Sequence, residues 1–175
     1  MNRFRSSLIF VAKLVVLYIL FYCLSFALIG VSSPSGRMYM PFIAENLNLV
    51  EGYRMFLLHS SGLFARLAGY ETAIIAPYTL AVGNSGVTLV YSCMGYGLMS
   101  VWLALILAYP MTWKKRGWAI VIGLILINLL NIIRIGGLAM LYSEGNTDLF
   151  NWIDHHTLFN TVVYVVLAIY FYLLV

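Results

Sequence analysis

The sequence predicts an all-α polytopic membrane protein with about four transmembrane helices, an extracytoplasmic amphipathic helix and a small β-hairpin. Of its 175 residues, 63% are hydrophobic and 9% are charged, whereas soluble domains contain about 45–50% apolar and about 25% charged residues. Long apolar runs recur along the chain, and most charges and turn residues lie between them. We expect residues 1–175 to form a single membrane domain.

Four apolar runs approach or exceed the roughly 20 residues that cross a bilayer as a helix. They cover residues 8–31, 94–109, 118–142 and 157–175. The second run is short and ends before Pro110. Since the first run is long enough to remain in the bilayer as an anchor, we do not expect it to be a cleaved leader.

Basic residues predict the orientation of these spans. They precede the first run and crowd the short loop 111–117. Because Lys and Arg accumulate on the cytoplasmic side of membrane proteins, the N-terminus and this loop are predicted to be cytoplasmic. Residues 32–92 and 143–156 then lie outside. The net charge of +4 is small, and no nucleic-acid partner is expected.

The predicted outer segment 32–92 contains two kinds of local structure. Residues 41–67 mix large apolar side chains with Glu, Arg and His, which is typical of an amphipathic helix at an interface. In "YTLAVGNSGVTLVY", two short β-type runs flank Gly83–Gly86, a pattern that predicts a hairpin. This hairpin leads the chain directly to Cys93, one of two cysteines.

Cys93 and Arg134 are the first two candidate site residues. A buried cysteine is more often a small apolar residue than a nucleophile, but Cys93 is expected to open a helix whose amides favour its thiolate. Arg134 lies within the third run, where a charge is costly unless it faces protein or water. It is either a structural arginine or part of a site. Asn131 lies three residues earlier on the same helix face.

The third candidate region is "NWIDHHTLFN", before and within the fourth run. His155 and His156 stand at its predicted outer end, and Asn160 follows His156 by one turn. Asp154 could orient an imidazole or cap the helix. Either histidine taken alone is more simply explained as an interfacial residue without chemistry.

The predicted topology places Cys93, Arg134 and His156 in the same outer leaflet. A thiolate can attack a carbonyl, an imidazole can carry the proton, and a guanidinium can stabilise the oxyanion. This combination predicts a thiol acyl-transfer site. Cys93, His155 and His156 could supply three zinc ligands, but one cysteine and two adjacent histidines are not a convincing zinc set. We expect no metal and no other cofactor.

Three sequence motifs in this order resemble the exosortase/archaeosortase family of membrane cysteine transpeptidases. They are "YSCMGYGLMS" with Cys93, "NIIRIGG" with Asn131 and Arg134, and "HHTLFNTVVY" with His156 and Asn160. The resemblance covers residues 79–170. Family members usually carry Cys-Ser-Gly, where this chain has Cys-Met-Gly, and many have about eight spans.

The resemblance implies a protease/transpeptidase of the prokaryotic cytoplasmic membrane whose site faces the extracytoplasmic side. Its substrate would be an exported protein with a C-terminal sorting signal, and the new carboxyl end would pass to a lipid or glycan acceptor. Cys93 would be the nucleophile, His156 the acid/base and Arg134 the electrostatic stabiliser. Asn131, Asn160, Asp154 and His155 would be supporting residues, and His155 competes with His156 for the base role.

Two other functions are compatible with the sequence. A non-catalytic membrane subunit of an exopolysaccharide or protein-export system would use Arg134 as a packing device. A transporter fragment would use Arg134 to bind an anion, but the chain lacks the paired broken helices and inverted halves of such folds.

Overall fold

A computed structural model describes residues 2–34, 36, 38–145 and 155–175, except for the side chains of residues 2–4, 6, 155 and 156. Six α-helices and three strands follow one another along the chain. They are α1 (Asn2–Ser32), α2 (Pro41–Asn46), α3 (Leu49–Leu67), β1 (Thr72–Ile75), β2 (Thr79–Val82), β3 (Ser85–Thr88), α4 (Tyr96–Ala108), α5 (Trp113–Ser143) and α6 (His155–Leu174). The predicted helical membrane fold with a small β element is confirmed.

Three helices are long and apolar enough to cross a membrane in the described part of the chain. They contain the segments Ser7–Ser32, Trp113–Ser143 and Thr157–Leu174. The predicted second span, 94–109, is shorter than expected, because α4 has only 13 residues. At a rise of about 1.5 Å per residue it is roughly 20 Å long, less than the apolar thickness of a bilayer.

The chain divides into two compact units, each built from separate stretches of sequence. The first contains Met1–Asn48, Tyr96–Leu126 and Tyr170–Val175. Here α1 packs on α4, and the buried indole of Trp102 donates a hydrogen bond to the Ala119 carbonyl at 3.1 Å. The prediction of a single membrane domain over residues 1–175 stays a prediction.

The second unit contains Leu49–Gly95 and Ile127–Ile169. Its antiparallel sheet has the order β1-β2-β3, and α3 packs against β1 and β2. Leu80 and Val82 of β2 are fully buried. On α5, Gly136 allows a close approach to α3, because an added Cβ would lie 2.9 Å from the Ser61 carbonyl oxygen.

Two local predictions differ from the structure in detail. The helix expected over 41–67 is interrupted, since Leu47 leaves helical geometry at φ −138° and Asn48 precedes α3, a position that Asn favours. The hairpin has a tighter turn than predicted, because Val82 pairs with Ser85 and only two residues connect the strands. A third strand, β1, extends the hairpin to a sheet.

Candidate functional site

Cys93 lies in a short 3₁₀ helix, Tyr91–Met94, which we call the Cys93 turn. Its backbone N–H donates to the Val90 carbonyl at 2.9 Å. Gly95 then adopts a left-handed conformation at φ 80°, which favours glycine, and α4 begins only at Tyr96. The expectation that Cys93 opens a long helix and receives its free amides is therefore wrong.

Two side chains of α5 hold the Cys93 turn through the same atom. The Cys93 carbonyl oxygen accepts hydrogen bonds from Asn131 Nδ2 at 3.1 Å and from Arg134 Nη2 at 2.9 Å. The guanidinium of Arg134 also makes a side-chain hydrogen bond with Cys93. Cys93 is half-buried, and Asn131 is fully buried. The structure thus brings together a thiol and a guanidinium that are 41 residues apart in sequence.

Helix α6 contributes an aromatic contact to the same group of residues. The guanidinium carbon of Arg134 lies 4.3 Å from the centre of the Phe159 ring, and Phe159 is buried. A cation over an aromatic face is attracted by the ring quadrupole. Arg134 is therefore fixed from two sides, by the Cys93 turn and by Phe159.

The structure does not bring all predicted site residues together. Asn160 is exposed on α6. Asp154 lies outside the described residues, as do the side chains of His155 and His156, although the backbone of α6 begins at His155. The choice between the two histidines therefore stays a prediction.

Helix α3 holds the Cys93 turn from another side, through a tyrosine that the sequence analysis did not single out. The Tyr53 hydroxyl lies 3.1 Å from the Met94 carbonyl oxygen and 2.9 Å from Asn128 Oδ1. One hydroxyl has a single proton, so it can donate fully to only one of these oxygens. Tyr53 thereby links α5 to the Cys93 turn at Met94, the residue that follows Cys93.

Arg54 is a second residue that the sequence analysis did not place in the site. Its side chain is only 4% exposed, and its guanidinium carbon lies 4.0 Å from the Tyr78 ring centre and 4.1 Å from the Tyr91 ring centre. Since Tyr91 begins the Cys93 turn, this stack supports the turn. A sequence signal existed, because Arg54 shares helical spacing with the buried Val50 and Leu58.

The surroundings of Tyr78 are consistent with a tightly packed stack. Burial raises the pKa of its hydroxyl, and the nearby Glu51 carboxylate raises the pKa further. The Tyr78 hydroxyl therefore keeps its proton at neutral pH, and the positive charge facing its ring is that of Arg54.

Two cavities meet at this site. A cavity of about 140 Å³ is bounded by residues 87–90, Cys93 and α5 side chains that include Arg134 and Leu138. A larger one of about 270 Å³ lies between α5 and α6, and among the described residues that line it Arg134 alone is charged. Arg134 and Leu138 border both. Cys93 therefore borders a small cavity beside a wider apolar cleft.

No group of three His, Cys, Asp or Glu side chains that could hold a metal ion occurs among the described residues. The chemistry available from the described atoms is that of a thiol beside a guanidinium. A guanidinium beside a thiol can stabilise the oxyanion of the tetrahedral intermediate that forms when the sulfur attacks a carbonyl.

The fold and the site together define an integral membrane protein with a thiol–guanidinium pair held between helices. The sequence model of the transmembrane exosortase family (Exosortase_EpsH) matches residues 4–173, nearly the whole chain. The chain therefore belongs to the transmembrane exosortase family. No curated protein and no solved structure matches it.

Proposed function

We propose that this exosortase is a membrane-embedded cysteine transpeptidase that cleaves a C-terminal sorting signal from exported proteins. The observation that carries the proposal is the contact of Arg134 with both the carbonyl and the side chain of Cys93. A structural arginine would need only carbonyl or carboxylate partners. A guanidinium beside a candidate nucleophile can stabilise the oxyanion that forms when the thiol attacks a carbonyl.

The reaction has two steps. The Cys93 thiolate attacks the scissile carbonyl, Arg134 stabilises the oxyanion, and the C–N bond breaks to give a thioester and a free amine. His156 supplies the proton that the leaving amine takes up. A nucleophilic hydroxyl or amine of a lipid or glycan acceptor then attacks the thioester, His156 takes up the proton that the acceptor loses, and the sulfur leaves as the thiolate.

The position of His156 on α6 supports its assignment as the acid/base. Positions 155 and 156 precede Phe159 by four and three residues, so the backbone of α6 places both within about one turn of Phe159 on one helix face. Phe159 contacts Arg134. Asp154, His155 and Asn160 remain supporting candidates, and Asn131 orients the Cys93 turn through its carbonyl.

The apolar cleft between α5 and α6 suits the apolar segment of a sorting signal. A short motif followed by an apolar segment needs a polar reaction site next to an apolar surface. The cavity at Cys93 and the cleft between α5 and α6 provide these two surfaces, with Arg134 in the wall of both. Exclusion of water from this space would favour transfer over hydrolysis.

We further propose that the site opens to the extracytoplasmic face of the prokaryotic cytoplasmic membrane. Basic residues in loop 111–117 support this orientation. In a cysteine-free background, Asn84→Cys should react with a membrane-impermeant maleimide in intact cells. Lys115→Cys should react only after the cells are permeabilised, and the reverse pattern would contradict the orientation.

Cleavage is tested by coexpression with an exported protein that ends in a motif, an apolar segment and a basic tail. The wild type should shorten this protein, Cys93→Ala should not, and Cys23→Ala should behave as the wild type because Cys23 is an exposed thiol in α1. Mass spectrometry of the shortened protein identifies the acceptor. Processing by Cys93→Ala at the wild-type rate would instead indicate a non-catalytic subunit.

A further inference from the structure

Strand β3 is an edge strand that leads directly to the candidate nucleophile. In the order β1-β2-β3, β2 is its one neighbouring strand among the residues that the structure describes. Val90 and the Cys93 turn follow it at once. An edge strand presents backbone N–H and C=O groups that can pair with another extended chain.

The register shows which groups of β3 point away from β2. Val82 pairs with Ser85 across a two-residue turn, and Leu80 pairs with Val87. The Leu89 N–H donates to the Tyr78 carbonyl at 2.9 Å. Since bonded positions alternate along an antiparallel pair, the odd-numbered residues 85, 87 and 89 face β2. The N–H and C=O of Gly86 and Thr88 therefore face outward.

The cavity at Cys93 runs along this outward edge. Its lining includes the four consecutive residues 87–90. A cavity above one face of a strand is lined by alternate residues, because successive side chains point to opposite faces. Consecutive lining residues indicate that the cavity borders the backbone edge. Cys93 and Arg134 complete the same cavity.

Building on the proposed function, we infer that the substrate docks as an added strand on the edge of β3, through the backbone N–H and C=O of Thr88. Strand addition uses main-chain hydrogen bonds for affinity. It would hold the peptide extended beside residues 87–90 and bring its next carbonyl to Cys93. The ligand class is an extended peptide, recognised through its backbone as well as its side chains.

Peptide chloromethyl ketones test this inference without a known substrate. They alkylate a cysteine when the thiolate sulfur displaces chloride to form a thioether. In the Cys23→Ser protein, acetyl-Ala-Ala-Ala chloromethyl ketone should alkylate Cys93 about tenfold faster than acetyl-Ala chloromethyl ketone, because it gains two backbone hydrogen bonds. Intact-protein mass spectrometry gives the rates, and peptide mapping confirms the alkylated residue.

N-methylation of the tripeptide reagent provides the sharper signature. Blocking one amide should lower the advantage to about threefold or less, whereas blocking the next amide should leave it, because only alternate residues of an added strand bond to β3. Equal effects of both methyl groups, or no effect of either, would overturn the inference. This result does not depend on any change to the protein.

A matched pair of variants tests the protein side. Thr88→Pro removes the outward N–H, a change that an edge strand tolerates, and should lower the tripeptide advantage to about threefold, because one of two hydrogen bonds is lost, while acetyl-Ala chloromethyl ketone reacts as before. Thr88→Val keeps the N–H, loses the hydroxyl contact with Thr79, and should retain the advantage. If both reagents alkylate Cys93 rapidly and at equal rates, strand docking is refuted but the proposed function is not. An inert Cys93 would also refute the proposed function.

Discussion

Helices α1 and α5 have the same length but differ in how much of their surface is buried. Each contains 31 residues, and each is apolar enough to cross a membrane. None of the most apolar window of α1 is buried, whereas 33% of that of α5 is buried. Length and hydropathy therefore identify both as spans but do not distinguish a helix that faces lipid from one that builds a site.

Their polar residues make the distinction. Cys23 of α1 is exposed and lies in the apolar part of that helix. On α5, Asn131 and Arg134 lie on one face and reach the Cys93 carbonyl. An arginine in an apolar helix is costly unless it is paired. The contacts with Cys93 and Phe159 offset that cost, and they exist only where α5 meets the Cys93 turn.

The largest expected effect comes from removing the charge of Arg134, the residue that distinguishes α5 from α1. Arg134→Gln should lower the rate of sorting-signal cleavage by about 10²- to 10³-fold, because an oxyanion loses its charged donor. Arg134→Lys should give an intermediate rate, since it keeps the charge but loses the planar fork. Cleavage is followed by immunoblot of the substrate.

A control for this experiment lies on the same helix. Arg116 donates to the Tyr109 carbonyl at 3.2 Å and packs over the Trp113 ring. Arg116→Gln should leave the cleavage rate within about twofold of the wild type, as surface changes away from a site usually have small effects. A comparable loss in both variants would show that any α5 arginine serves the fold alone.

The second effect concerns the support that α3 gives to the Cys93 turn. Arg54→Met should lower the free energy of unfolding by about 1–3 kcal/mol, because two cation–π contacts in a buried stack are lost. Arg54→Lys should recover part of this loss. The rate at which chloroacetamide alkylates Cys93 should change in Arg54→Met and recover in Arg54→Lys. A residue that only stabilised the fold would not change this rate.

Arg66 provides the matched control on α3. It is exposed and makes only a 3.4 Å hydrogen bond to the Gly62 carbonyl. Arg66→Met should therefore leave both the unfolding transition and the alkylation rate unchanged. If Arg54→Met also leaves both unchanged, the stack between Tyr78 and Tyr91 does not support the turn.

The sequence allowed the three long apolar helices and the hairpin to be predicted from apolar runs and turn residues, and it singled out Cys93 and Arg134 as candidates. It did not reveal the 3₁₀ turn, since the same letters "SCMGYG" also suit a helix start. Nor did it reveal Arg54 and Tyr53 as supports. Helical spacing places Arg54 on the same face as Val50 and Leu58, but its partners depend on how α3 lies against the Cys93 turn, a tertiary contact that no local pattern encodes.

Two adjacent glycines of α5 provide a third test. A Cβ on Gly136 would lie 2.7 Å from Phe64 Cδ1 and 2.9 Å from the Ser61 carbonyl oxygen. Gly136→Ala should therefore cost about 1–3 kcal/mol. Nothing lies within 4 Å of a Cβ on Gly137, and Gly137→Ala should be neutral or stabilising by up to about 1 kcal/mol. Thermal unfolding in detergent measures both, and equal losses would contradict the close approach of α3.

The smallest effect is expected at the hydroxyl that joins α3 to α5. Tyr53→Phe removes the contacts with Met94 and Asn128 and should cost about 1 kcal/mol. In a double-mutant cycle with Asn128→Leu the losses should not add, because both changes remove one shared bond. Tyr39→Phe, at a tyrosine with 37% exposure, is the control. Additive losses would mean that Tyr53 supports the Cys93 turn without coupling it to α5.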